Sequence, residues 1–188
     1  NENNNVSSGI QIVIGSDLAV AAAPTVSWTG TGGNFNVGYT VRNGGSVSAP
    51  VSTTGIYLST DATITKDDIR VGSDDVAKLL AGQSSAETGS FVLPAGIKAG
   101  TYYVGVIADA NGAVTELDET NNASPARQIV IASDLGVTTA PSLTYGGTGS
   151  SFSFAYTVAN GGMIASDATK VGIYLSTDNV ITKDDQLV

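Results

Sequence analysis

The 188-residue sequence contains no cysteine and no histidine, one methionine and one tryptophan, and its 8 lysines and arginines face 17 acidic residues. The first two absences remove thiol nucleophiles, Ser-His-Asp relays, zinc centres built on Cys or His, and haem held by either. Without cysteine, a form residing outside the cell relies on its core, on ions or on neighbours rather than on disulfides. The net charge of −9 leaves no basic face to displace counterions from phosphates, so neither nucleic acid nor an anionic membrane surface is an expected partner. No apolar run is long enough to cross a bilayer, so no membrane insertion is expected, and no signal peptide is visible. Nor does any long stretch join helix formers to a 3.6-residue period. Residues 74–82, DDVAKLLAG, come nearest, with a turn or two of helix at most.

What is plentiful is glycine, with valine, isoleucine, threonine, tyrosine and serine, a mixture that favours strands divided by tight turns. The chain also repeats itself. QIVIGSDL at 11–18 returns as QIVIASDL at 128–135, and YTVRNGG at 39–45 as YTVANGG at 156–162, at a constant offset of 117 residues. About half of the positions in 16–71 are identical in 133–188. The match extends backwards, with Glu2, Asn4 and Asn5 aligning on Glu119, Asn121 and Asn122. The expected organisation is therefore a tail strand of a preceding repeat in 1–15, a complete repeat in 16–132, and the N-terminal half of a following repeat in 133–188. This reads as a window on a longer tandem array; the other reading is that a second chain supplies the missing strands by strand addition.

Alternation within one repeat marks strands at 17–23, 35–43, 53–60, 90–94, 100–109 and 127–132. Phe35, Val37, Tyr39 and Val41 share a face, Ile56 and Leu58 oppose Tyr57, and Tyr102, Val104 and Val106 oppose Tyr103 and Ile107. Short strands at this spacing predict an all-β fold, an antiparallel sandwich of immunoglobulin or fibronectin type. The NGG runs at 43–45 and 160–162 are expected to reverse the chain through positive φ, and ANG at 110–112 to form a hairpin tip. GTGG at 30–33 lacks the lysine and the helix of a phosphate loop and reads as a turn.

The succession SDL.V, YTVRNGG, GIYLSTD, LPAGIKAGTYYVGVIAD and DETNN resembles the CARDB domain, the cell-adhesion-related domain found in bacteria. GTYYVGVIAD followed by ELDETNN is its most specific stretch, and the resemblance covers 10–132 and resumes at 133–188. It implies an immunoglobulin-like sandwich occurring as tandem modules of large secreted or surface proteins. It implies no enzymatic activity, and it carries no set of functional residues.

Three polar clusters remain. One is Asp61, Asp67 and Asp68, repeated as Asp178, Asp184 and Asp185. The second is Asp109, Asn111, Glu116, Asp118, Glu119, Asn121 and Asn122. The third is the junction Ser16-Asp17, repeated as Ser133-Asp134. Hard oxygen donors of this kind suit calcium, although the spacing is not that of an EF-hand. The candidate ligands are Asp61, Asp67, Asp68, Asp109, Asn111, Glu116, Asp134, Asp178, Asp184 and Asp185. In a sandwich the Asp61–Asp68 loop and the Asp109–Glu119 segment lie at opposite poles, so stacked repeats would bring unlike acidic loops together. The plainer reading is that Asp and Asn bond their own backbone in turns. Glu116 and Glu119 on one hairpin do not make the opposed pair of a glycosidase. Asn5 and Asn122 head N-x-[ST] sequons at equivalent positions, and Trp28 aligns with Tyr145.

The expected function is a non-catalytic structural or adhesive module, one bead of an extracellular or cell-surface stalk, spacer or filament, with calcium stiffening its joints. Its expected partners are neighbouring repeats of the same chain. The alternatives are a carbohydrate- or surface-binding module, for which Trp28 would have to be exposed, or a homopolymer of identical chains joined by strand exchange.

Overall fold

The computed structural model describes residues 5, 7–28, 32–147 and 151–188. Glu2, Asn4 and the first half of the GTGG turn lie outside them. Two four-stranded antiparallel sheets form the first copy. In the first sheet β3 (Asn34–Asn43) is central. β6 (Ser84–Val92) takes one edge of it along almost its whole length, leaving β1 (Leu18–Ala19) and β2 (Thr25–Trp28) to share the other. In the second sheet the order is β5 (Ile69–Val76), β4 (Ser52–Ser59), β7 (Gly100–Ile107), β8 (Arg127–Ile131).

The period-2 pattern explains the core. Phe35, Val37, Tyr39 and Val41 point inward from β3 and meet Ile56, Leu58, Val104 and Val106 from the second sheet. Tyr57 and Ile107 face the other way and are still buried, because Ile64 folds back over the outer face of the second sheet and packs on them. Two elements escaped the alternation. β2 was hidden because TVSW offers too few alternating apolar residues to register as a strand. β5, IRVGSDDV, contains the acidic start of the segment expected to approach a helical turn. It is a strand on the edge of its sheet, paired with β4 from Ser52↔Val76 onward. No helix occurs among the described residues.

The NGG runs reverse the chain by a different means than expected. Left-handed glycines occur at 32, 33, 82, 96, 112 and 147, but Gly44, Gly45, Gly161 and Gly162 are not among them. What the second glycine of each pair supplies is room. A Cβ on Gly45 would lie 2.3 Å from the Gly15 carbonyl oxygen, and one on Gly162 would lie 2.4 Å from that of Ala132. The ANG segment is also more than a hairpin tip. It opens a long excursion closed at its base by Ala108 N–H donating to the Asn122 carbonyl (3.0 Å).

The second copy forms three two-stranded pairs: β9 (Leu135–Val137) with β12 (Val158–Asn160), β10 (Ser142–Tyr145) with β11 (Phe152–Ala155), and β13 (Tyr174–Leu175) with β14 (Gln186–Leu187). Leu135, Val158 and Ile181 are 40%, 39% and 63% exposed, where their counterparts Leu18, Val41 and Ile64 are 1%, 0% and 6%. The strands that cover those residues in the first copy, β6 to β8, have no counterpart within the 188 residues.

Candidate functional site

Strand register fixes where the polar clusters lie. Ser59 pairs with Tyr103 and Gly55 with Ile107, so the loop leaving β4 and the turn leaving β7 occupy opposite ends of the sandwich. Gly100 pairs with Ile131, which sets the 60–68 loop at the end where β8 finishes, here called the distal pole. The Asp109 turn lies at the proximal pole, where residues 15–18 run beside 115–117.

At the distal pole Asp61 and Asp68 are engaged with their own loop. The Asp61 Oδ1 accepts the Thr63 N–H (2.7 Å) and the Asp68 Oδ2 accepts that of Thr65 (2.7 Å). The second copy repeats both turns: Asp178 accepts from Val180 (2.8 Å) and Asp185 from Thr182 (2.6 Å), and the latter bond holds the Asp185 carboxyl below its usual range. Asp67 and Asp184 are exposed beside them. The two turns fold the loop so that Ile64 drops onto β7 at Gly105. A Cβ there would lie 2.3 Å from the Ile64 side chain. These aspartates therefore shape a plug over the outer face of the sheet.

The proximal cluster is more tightly built. Asp109 is wholly buried, sits at a φ of 40°, and accepts the N–H groups of Ala113 (3.1 Å) and Val114 (2.8 Å) on its two carboxylate oxygens. Asn111 is exposed and reached by the Arg70 guanidinium at 3.4 Å. The Glu116 carboxylate accepts the Leu18 N–H and the Asn122 amide (3.2 Å), which clamps β1 to the excursion after β7. Burial first, then the nearby charges of Glu119 and Asp109, push the Glu116 carboxyl up to about 7, against two hydrogen bonds that favour the ion. The Asn121 amide donates to Asp17 (2.8 Å). The amide oxygens of Asn121 and Asn122 are buried with no partner.

The structure thus brings Asp17, Glu116, Glu119, Asn121 and Asn122 together and keeps Asp61, Asp67 and Asp68 apart from them. Asn111 lies at the edge of the proximal cluster. Among the described residues no three acidic side chains converge in a manner that could hold a metal ion. Asp134 is exposed, and its N–H donates to Asn160 (2.9 Å). No hydrogen bond links it to the 60–68 loop among the described residues.

Trp28 packs against Phe35, ring centroids 5.3 Å apart, and is half-buried at the edge of the core. A shallow groove on the outer face of the first sheet is lined by Thr25, Ser27, Asn36, Thr88 and Ser90, with no aromatic ring.

One structurally decisive residue was missed by sequence reasoning. Asn43 is fully buried; its Oδ1 accepts the N–H groups of Asp17 (3.2 Å) and Gly45 (3.0 Å), and its amide donates to the carbonyls of Val47 (2.8 Å) and Leu79 (3.1 Å). Asn160 repeats the bonds to Asp134, Gly162 and Ile164. The signal was present, since the asparagine leads both NGG runs.

The model of the CARDB family matches residues 15–126. Among solved structures, the CARDB domain of a Pyrococcus furiosus protein in complex with di-metal ions is similar over 64% of this chain and 96% of that chain, at 17% identity and a TM-score of 0.45. β-Glucosidase 3B of Thermotoga neapolitana is similar over 61% of this chain and 16% of its own, at 17% identity and a TM-score of 0.43. A β-glucosidase of Bifidobacterium adolescentis is similar over 61% and 17%, at 18% identity and 0.40. The likeness takes in a small part of each glucosidase. No curated protein matches the chain.

Proposed function

The chain belongs to the CARDB family of non-catalytic β-sandwich modules, and from that premise we propose that it is a structural bead of an extracellular or cell-surface stalk, spacer or filament. The observation that carries this reading is the packing of Trp28. A sugar-binding platform needs a flat exposed ring, and the one tryptophan of the chain is tilted into Phe35 at the end of the core. The groove on the open face of the first sheet offers small polar side chains and no ring to stack on. Trp28 also provides the test. Its fluorescence is expected to stay constant when soluble polysaccharides are titrated into the protein. A saturable change, together with calorimetric binding of the same polysaccharide that is lost in Trp28→Ala, would replace the spacer with a carbohydrate-binding module.

A second proposal concerns calcium, and it favours the proximal pole. Asp61 and Asp68 of the distal loop are turned to N–H groups of their own turns, whereas the proximal cluster, where Glu116 also accepts the Leu18 N–H, holds two partnerless buried amide oxygens beside the carboxylates of Glu116 and Asp17. A mixed set of carboxylate and amide oxygens is what calcium accepts. Thermal unfolding in millimolar calcium and then in chelator tests it. An ion that binds only the folded state at ten times its Kd adds about 1.4 kcal/mol. The gain is expected to vanish in Glu116→Gln and to persist in Asp67→Asn; no gain in the unmodified protein refutes calcium binding.

A further inference from the structure

Asn160, Gly161 and Gly162 form a stiff platform. The Gly161 N–H donates to the Asp134 carbonyl (2.7 Å), the Met163 N–H to that of Ala132 (2.8 Å), and the Asn160 amide to that of Ile164 (2.8 Å). A side chain on Gly162 would run into the chain at Ala132 and Asp134. The loop is therefore locked to the segment that joins the two copies, and its direction is set by that segment. It carries Met163 and Ile164 to the distal pole of the first copy. There both are half-buried and pack on its core, lining a groove with Leu93 and Ile97, and Met163 lines the adjoining groove with Trp28. Gly33 stands close enough that a Cβ on it would lie 3.5 Å from the Met163 carbonyl oxygen.

The same platform exists at the head of the first copy. Ser46 N–H donates to the Gly15 carbonyl (2.8 Å), as Met163 does to Ala132. The two residues it carries differ. Ser46 and Val47 stand where the second copy has Met163 and Ile164, and Val47 is 39% exposed. The hydrogen-bonded scaffold is retained while its first residue changes from a small polar serine to a long apolar methionine and its second gains one methylene.

We propose that this pair is the plug of the joint between consecutive copies: Met163 and Ile164 of one copy seat in a socket made by Trp28, Leu93 and Ile97 of the copy before it. The Asn-Gly-Gly platform aims the plug, and the identity of the two residues that follow sets how firmly one copy is fastened to the next. A flexible thioether suits an irregular socket of this kind. The inference concerns the joint alone and depends neither on calcium nor on where the protein resides.

The test exchanges the second copy's pair for the first copy's own, Met163→Ser with Ile164→Val, a pair already compatible with the platform. Trp28, the only tryptophan, reports on the socket. In the full chain the exchange is expected to shift Trp28 emission to the red, raise its quenching by acrylamide, and speed proteolysis of the 132–135 segment. Met163→Leu, which keeps the apolar contact, is expected to leave all three as they were. Unchanged Trp28 quenching and proteolysis in the double variant overturns the proposal, as does an equal response in Met163→Leu. The near-UV circular dichroism of the first copy's buried tyrosines serves as the control. If it collapses in the double variant, the effect is a loss of fold and the joint reading fails.

Discussion

Replacing Asn43 with alanine should be among the most damaging single changes in the first copy, although the residue stands at the very end of β3, where the chain turns. Its side chain serves four backbone groups. Of these, the Leu79 carbonyl keeps a second donor, the Ala49 N–H at 2.9 Å. The other three, the N–H groups of Asp17 and Gly45 and the Val47 carbonyl, depend on Asn43. At about 1 kcal/mol for each net bond lost, the variant loses about 3 kcal/mol, and more if water cannot reach the two donors. Asn43→Asp separates the two halves of the contribution. It keeps both acceptor contacts but turns a carboxylate towards the carbonyls of Val47 and Leu79, so its deficit should exceed that of alanine at neutral pH and shrink in acid.

Urea unfolding followed by tyrosine circular dichroism reads the loss, with the m-value as a check that the variant still unfolds as one unit. Asn160→Ala is the internal control: the same bonds are made there in a copy whose apolar residues are exposed, so the loss should be under about 1 kcal/mol. A loss under 1 kcal/mol for Asn43→Ala, or equal losses at the two positions, would refute the view that this asparagine organises the turn through buried bonds.

Three other outcomes can be checked in the same way. Ile64→Ala should destabilise the first copy by about 2–4 kcal/mol, as large-to-small core changes do, and Ile181→Ala, at the exposed counterpart, should cost little in matched urea unfolding curves. Asp109→Ala leaves the N–H groups of Ala113 and Val114 without acceptors and keeps a non-glycine residue at positive φ; about 2–4 kcal/mol should be lost, and Asp109→Asn should recover part of it. Glu116 has a folded-state pKa of about 7 against an ordinary 4.5, so the folded protein binds this proton more tightly than the unfolded chain. Its contribution is complete below 4.5 and lost as pH rises through 7; in calcium-free buffer, Glu116→Gln should flatten stability across that interval, and an unchanged pH slope in the variant argues against the assignment.

The large features were readable because burial writes a period of two. The inward residues of β3, β4 and β7 were assigned to their faces from alternation alone. β5 was not, because an edge strand with one face open to solvent tolerates IRVGSDDV, whose apolar residues do not alternate. The glycines of NGG were recognised as necessary but for another reason than the structure gives: a pattern of residue types signals a turn without saying whether backbone angle or space demands the glycine. The polar clusters were located, yet their roles were hidden. A carboxylate that caps its own turn and one that ties two distant segments together look the same in sequence, and only the hydrogen-bond partners tell Asp61, Asp68 and Asp109 apart from Glu116. Asn43 was hidden for a related reason, since two of its bonds reach residues 17 and 79, distances along the chain that no local pattern reports.

The recurrence of Asp61, Ile64 and Asp68 between GIYLSTDATITKDD and GIYLSTDNVITKDD then has a physical account that needs no ligand. Seating Ile64 over Gly105 requires the loop to leave β4 at Ser59, turn once at Asp61, cross the outer face of the sheet, and turn again at Asp68 before β5 begins. Asp61 and Asp68 are fixed by the N–H groups they accept, Ile64 by the notch at Gly105, and Gly105 by the absence of space for any side chain. The two positions that differ within the loop, Ala62 and Thr63 against Asn179 and Val180, are exposed and make no such contact through their side chains. Each constrained position therefore constrains the next, and the substitutions between the copies fall where that chain of dependence is broken. The residues after NGG show the opposite case. Ser46-Val47 and Met163-Ile164 ride on a platform whose shared bonds are made by backbone atoms and by the preceding asparagine; the Ser46 hydroxyl adds one from the Gly15 N–H (3.3 Å), and the second copy keeps the turn with Met163 in its place. A copy can thus alter its hold on its neighbour while keeping its own fold.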